Sequence, residues 1–319
     1  MVKPLDVFRA LADPTRLRIM ALLRAMELAV GELAQVLGQS QPRVSRHVKI
    51  LCDAGLARRR KEGSWVFLVP GDGPNAQAVF DAIDGLNGES GGDHWAVADA
   101  AKLTAVRADR VAAAEAYFAA HAANWDAMRS LYVAEAQVEA AMRALLSAQP
   151  LGQMVDIGTG TGRMIEMLGG LANRVIGVDR SPEMLRLARA KLSESGLRNW
   201  ELTQGDIATL TLPSGGADTV LVHQVLHYLP APGVALAEAA RLLRPGGRLL
   251  VVDFAPHDHE ELRLQDAHAR LGFSDDQMRQ WYQSLGLAMT AIEQLEGGAL
   301  TVKLWLGTRT AASPLKVVA

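Results

Sequence analysis

Three glycines at alternate positions, Gly158, Gly160 and Gly162, follow the apolar run Met154-Val155-Asp156-Ile157. With no Cβ atoms, such a loop turns tightly and lets the backbone approach a ligand closely. A second apolar run, Arg174-Val175-Ile176-Gly177-Val178, ends in Asp179, 17 residues after Gly162. A carboxylate at that strand tip can accept both hydroxyls of a ribose. Gly205-Asp206-Ile207 ends a third such unit, where a carboxylate can take the amino group of adenine. The spacing is GxGxG. The dinucleotide fingerprint wants glycine where Arg163 stands, and no GK[ST] follows for a phosphate-binding P-loop.

Histidines supply the next candidates. His223 follows the apolar run Ala217–Val222, and His227-Tyr228 comes one turn later. Parallel sheets bind ligands beyond the carboxyl ends of their strands, and an imidazole near neutrality can deprotonate or orient a reacting group there. The same residues also read as packing beside the ligand (His223) and a helix cap (His227-Tyr228). His257, Glu261, Leu264 and His268 share one face if their segment is helical. That face is either a metal or substrate site or a solvated charged surface. Tyr117, Phe118, His121 and Trp125 read as a lid over the site or as ordinary core.

The elements that position these groups alternate apolar strands with helices from Gln153 onward, the rhythm of a parallel sheet. The earlier chain reads differently. Asp13-Pro14-Thr15 opens a helix capped by Asp13, with Arg16 and Arg24 left to solvent. A second helix covers about Val30–Leu37. A third, about Gln41–Ala54, is capped by Ser40 and buries Val44, Val48 and Leu51. Its other face offers Gln41, Arg43, Ser45, Arg46 and Lys49, donors suited to phosphates and to base edges in a major groove. A hairpin with a basic tip follows, Arg58-Arg59-Arg60-Lys61 and Trp65–Val69, suited to backbone phosphates. Ser40, Gln41, Arg43, Ser45, Arg46, Lys49, Arg59 and Arg60 are thus the candidate DNA contacts.

Charge agrees with that division. Residues 1–70 carry twelve Lys/Arg against six Asp/Glu, a balance of +6, so a whole-chain charge of −2 leaves −8 on the remainder. A basic block on an acidic body assigns a polyanion to one part only. The expected segments are a DNA-binding domain over 1–70, a linker and helical stretch over 71–147 that is loop-like to about 94, a catalytic domain over 148–309, and a flexible tail over 310–319. The lone Cys52 fits a reducing cytoplasm and is read as packed. No apolar stretch is long enough to cross a membrane.

Two resemblances sharpen these readings. Leu11-Ala12-Asp13-Pro14-Thr15-Arg16-Leu17-Arg18-Ile19 and Ser45–Leu56 resemble the ArsR/SmtB winged-helix repressors. That likeness implies a homodimer on a palindromic double-stranded DNA operator. Where many relatives carry a cysteine pair, this chain has Leu28-Ala29-Val30-Gly31-Glu32, so no thiolate metal site is expected. The glycine loop with Asp179 and Asp206, supported by Ser181-Pro182-Glu183-Met184-Leu185 and Leu243-Arg244-Pro245-Gly246-Gly247, resembles the class I methyltransferases of the UbiE-like kind. The implied fold class is α/β: a winged helix-turn-helix followed by a Rossmann-like seven-stranded domain. The implied cofactor is S-adenosyl-L-methionine. Gly158, Gly160 and Gly162 would pass along it, Asp156 would lie beneath its amino-acid end, Asp179 with Arg180 would hold the ribose, Asp206 and Ile207 would bind adenine, and His223 would line the site. With no [DNS]PP[YFW] tetrapeptide, a small-molecule methyl acceptor is expected, with His223 and His227 as catalytic candidates. The alternative is a repressor that senses S-adenosylmethionine or S-adenosylhomocysteine without turnover.

Overall fold

The computed structural model describes residues 4–25, 27–62, 65–71, 73–89, 94–121, 134–297 and 299–310. The chain forms two compact units, Met1–Ala112 and Ala113–Val318. In the first, α1 (Pro4–Leu11), α2 (Pro14–Ala25), α3 (Val30–Leu37) and α4 (Gln41–Asp53) pack on a small sheet of β1 (Leu28–Ala29), β2 (Ala57–Glu62) and β3 (Trp65–Pro70), in the order β1-β3-β2. Asp13 caps α2 by accepting the Arg16 N–H at 3.1 Å. Arg16 does not face solvent as its position suggests. It is half-buried and donates to the carbonyls of Ala10 and Arg9, oxygens that the end of α1 leaves unbonded. Ser40 precedes α4, but its hydroxyl makes no capping bond. Val44, Val48 and Leu51 are fully buried, as their spacing demands.

Within the stretch expected to be a loop, residues 74–89 form a helix. Pro74 suits the first turn of a helix, and α5 runs Pro74–Glu89. Its Ala76, Val79, Phe80 and Ile83 recur at helical spacing and pack on the winged-helix core. The turn formers further along masked that periodicity. The first part of α6 (His94–His121) joins the same core through Leu103 and Val106. Its Asp99 takes the Arg18 guanidinium in two bonds of 2.6 Å. The break expected at residue 70 therefore falls inside a compact unit.

The second unit holds a seven-stranded sheet of β4 (Gln153–Ile157), β5 (Arg174–Asp179), β6 (Trp200–Gln204), β7 (Ala217–His223), β8 (Leu243–Phe254), β9 (Leu287–Gly297) and β10 (Leu300–Arg309), ordered β6-β5-β4-β7-β8-β10-β9. The pairs from β6 to β8 are parallel, and β10 runs antiparallel between β8 and β9. One apolar layer carries α7 (Glu135–Leu146) and α8 (Arg163–Leu168). The other carries α10 (Pro232–Leu242) and α12 (Asp275–Ser284), while α9 (Pro182–Glu194) lies between β5 and β6 in sequence. The sheet reverses its winding between β4 and β7, the crevice where such sheets bind ligands.

The helix expected over His257–His268 shrinks to α11 (Glu261–Gln265). The backbone is used otherwise: His257 N–H bonds Leu271 at 3.1 Å, Arg270 N–H bonds His227 at 2.9 Å, and Phe273 N–H bonds Phe254 at 2.9 Å. Of the lid residues, Tyr117, Phe118 and His121 fall within α6 but their side chains lie outside the described residues, as do Trp125 and the tail from 311. No helix among the described residues is long and apolar enough to cross a membrane.

Candidate functional site

The glycine loop leaves β4 and turns into α8. Gly158, Gly160 and Gly162 all have positive φ, of 73°, 52° and 80°, where only glycine is unstrained. A Cβ on Gly158 would lie 2.4 Å from Val225 Cγ2. The loop is tied to β5 by the N–H groups of Gly158 and Thr159, which reach Val178 O at 2.8 and 3.0 Å. Thr159 donates its hydroxyl to Asp156 at 2.6 Å beneath the turn. Asp179 closes the arrangement: one carboxylate oxygen accepts Gly160 N–H at 2.8 Å and the other accepts Ser181 N–H at 2.9 Å. Burial raises this carboxyl above the usual range, and backbone donors from Ser181, Gly160 and Arg180 oppose the rise. Asp206 is exposed, with Arg180 at 3.7 Å, and Ile207 beside it is buried. Gly158, Gly160, Gly162, Asp179, Arg180, Asp206 and Ile207 thus gather at the carboxyl ends of β4, β5 and β6. A flat, hydroxyl-bearing nucleoside fits this chemistry: a cradle of glycine backbone beside two carboxylates.

His223 ends β7 and is buried. Gln224 follows with φ of 52°, a conformation that costs energy for a residue with a Cβ, and its N–H is fixed to Val252 O at 2.7 Å. His227 lies on the 3₁₀ turn Leu226–Tyr228 and bonds through Nδ1 to Asp253 at 2.8 Å. His268 stacks near it, ring centroids 4.3 Å apart, and His257 lies 6.4 Å from His268. The loops therefore assemble His257 and His268 without the helix that the sequence suggested. Burial lowers both imidazoles, His257 to about 4. Among the described residues no group of His, Cys, Asp and Glu could hold a metal. Asp253 was missed as a partner of His227. Nothing in sequence links Asp253 to a histidine 26 positions earlier; the neighbouring parallel strands β7 and β8 do.

In the first unit, Ser40, Gln41, Arg43, Arg46 and Lys49 are exposed on α4, and Ser45 is half-buried. Lys49 pairs with Asp53 one turn on, at 2.6 Å. Gln41, Ser45 and Arg59 line a cleft of about 600 Å³ with Gln35 and Val66. Arg60 stands apart from this set. It is half-buried, chelates Glu27 with both guanidinium nitrogens and lies 6.0 Å over the Phe67 ring. The turn at Gly63 is outside the described residues.

Comparison with known proteins matches each half separately. The model for bacterial regulatory proteins of the arsR family matches residues 13–59, and that for a methyltransferase domain matches residues 155–251. The arsenical resistance operon repressor of Escherichia coli K12 is 48% identical over 64 residues, 20% of this chain and 55% of that protein. The demethylmenaquinone methyltransferase of Tropheryma whipplei is 35% identical over 103 residues, 32% of this chain and 42% of that protein. The chain spans about half the length, or less, of these curated relatives. The solved structure of Bacillus subtilis YcgJ superposes with a TM-score of 0.50 at 19% identity, over 55% of this chain and 98% of its own, a likeness of fold. An arsR-type helix-turn-helix and a Rossmann-like methyltransferase domain, a module whose cofactor is S-adenosylmethionine, are therefore joined in one chain.

Proposed function

We propose that the first unit binds operator DNA as a homodimer and that the second transfers a methyl group from S-adenosylmethionine to a small-molecule acceptor. The observation that carries the enzymatic half is Asp179, whose carboxylate ties the glycine loop to the start of α9 through Gly160 and Ser181. That bridge holds a carboxylate beside a loop of alternating glycines, as ribose recognition requires. Asp179 with Arg180 would hold the ribose, Asp206 and Ile207 the adenine, the three glycines and Asp156 the amino-acid end, and His223 would line the site. Bound S-adenosylmethionine supplies a methyl group on a sulfonium that leaves as a neutral thioether. The protein's share is alignment, exclusion of water and, where the acceptor carries a proton, its removal.

The exposed face of α4 supports the DNA half, with Arg43 and Arg46 free to reach phosphates and base edges. The test is incubation of the purified chain with methyl-labelled S-adenosylmethionine and a deproteinised metabolite extract. Label should enter a small molecule and be lost in Asp179→Ala, with cofactor affinity falling at least roughly tenfold. Cofactor binding without transfer would sink the enzymatic reading in favour of a nucleotide-sensing repressor.

A further inference from the structure

His227 and Asp253 meet at the carboxyl ends of adjacent parallel strands. Asp253 has no solvent exposure, and the His227 side chain keeps 2%. The carboxylate accepts the backbone N–H of His227 at 3.3 Å and the ring Nδ1–H at 2.8 Å, so one residue is gripped at two points. The N–H of Phe254 reaches the same carboxylate at 2.8 Å and fixes it in turn. Tyr228, His268 and Phe254 wall the ring at centroid distances of 4.0, 4.3 and 4.8 Å. An ionised Asp253 admits only the tautomer with its proton on Nδ1, which leaves Nε2 with a lone pair. No described group bonds Nε2. The ring stands two residues after Val225, whose side chain occupies the space beside Gly158 in the nucleoside loop.

We propose that His227, positioned by Asp253, is the general base that deprotonates the methyl acceptor, so that the acceptor is an O–H or N–H nucleophile. This inference rests on the methyltransferase reading above. As the acceptor's oxygen or nitrogen bonds to the methyl carbon, the carbon–sulfur bond breaks and its electron pair stays on sulfur, discharging the sulfonium. The acceptor's proton passes to Nε2, Asp253 stabilises the imidazolium, and the proton then leaves to solvent. A carboxylate has no proton to lose at neutral pH, and neither does a trivalent arsenic lone pair, so neither would need this pair. The titratable groups around the ring are Asp253 from β8, Tyr228 beside it and His268 from the segment after β8, with His257 next to His268. Burial holds His257 and His268 neutral, His257 with its value lowered to about 4.

The test uses the full chain and four probe acceptors with labelled S-adenosylmethionine: a naphthohydroquinone, catechol, trans-aconitate, and arsenite with glutathione. The expected result is transfer to a phenolic probe, with a dependence of rate on pH that is lost in His227→Gln. In His227→Gln and Asp253→Asn, kcat should drop about 100-fold, the usual worth of a general base, while cofactor affinity stays within about threefold. Nitrogen-15 NMR of histidine-labelled wild-type protein should show His227 protonated at Nδ1, a readout that needs neither turnover nor a folded variant. Transfer only to trans-aconitate or arsenite would overturn the proposal, as would unchanged kcat in His227→Gln or a proton on Nε2 at rest. Failure of the wild type to bind S-adenosylmethionine would instead overturn the reading on which the proposal rests.

Discussion

A single methyl group at Gly158 is enough to close the nucleoside loop. In Gly158→Ala the new Cβ would meet Val225 Cγ2 at 2.4 Å in a backbone region at φ 73° that disfavours any side chain. The expected cost is about 1–3 kcal/mol, read as a lower urea midpoint, together with loss of cofactor binding by calorimetry. The histidine cluster gives a second prediction. His257 and His268 titrate well below the unfolded value of 6.5 because burial disfavours their charged forms. Unfolding therefore takes up protons, so stability is full above pH 6.5 and falls as pH drops toward about 4. Each histidine adds a slope of up to about 1.4 kcal/mol per pH unit in that window. His268→Gln should flatten the dependence of the urea midpoint on pH between 6.5 and 5; an unchanged slope would remove His268 as its source. At this scale, Asp179 was legible because a glycine loop and the acid ending the next strand form a local pattern. The grip of Asp253 on His227 was not, because it arises from strand pairing.

Elements divide the basic residues by role. Arg43 and Arg46 project from α4 into solvent, whereas Arg60 chelates Glu27 and lies over the Phe67 ring. Arg43→Ala and Arg46→Ala should each weaken operator binding and lower the slope of log affinity against log salt by about 1, measured by fluorescence anisotropy across a salt series. Arg60→Ala should leave that slope alone and reduce stability by about 1 kcal/mol. In sequence the three arginines at 58–60 look alike, since one-dimensional spacing does not reveal which of them Glu27 reaches. Helices α3 and α4 and the hairpin were readable because burial stripes, Pro at a helix start and Gly after a helix end agree with one another. Helix α5 was misread because the glycines and asparagine near its far end look like a loop, while the packing of Val79 and Phe80 decides the outcome.

At the scale of the whole molecule, the basic and acidic charge fall in different parts of the chain, +6 over residues 1–70 and −8 over the rest. Raising salt from about 50 to 200 mM should therefore lower DNA affinity on the order of a thousandfold if six or more phosphates are contacted. Affinity for S-adenosylmethionine should hardly move, because a small ligand of net charge +1 carries no condensed counterion atmosphere to release. Parallel titrations of both ligands check this; equal sensitivity would contradict the division. The order of the strands has a consequence for how the protein is made. Strand β10 leaves the ribosome after both β8 and β9, yet it lies between them. Until Leu300–Arg309 emerges, β8 and β9 both lack the strand that pairs with them among the described residues. The winged-helix unit has its partners by residue 112 and needs none of this. A nascent chain can thus carry a finished winged-helix unit while its larger sheet still waits for β10. Chains stopped before Leu300 would offer that open edge to one another and aggregate.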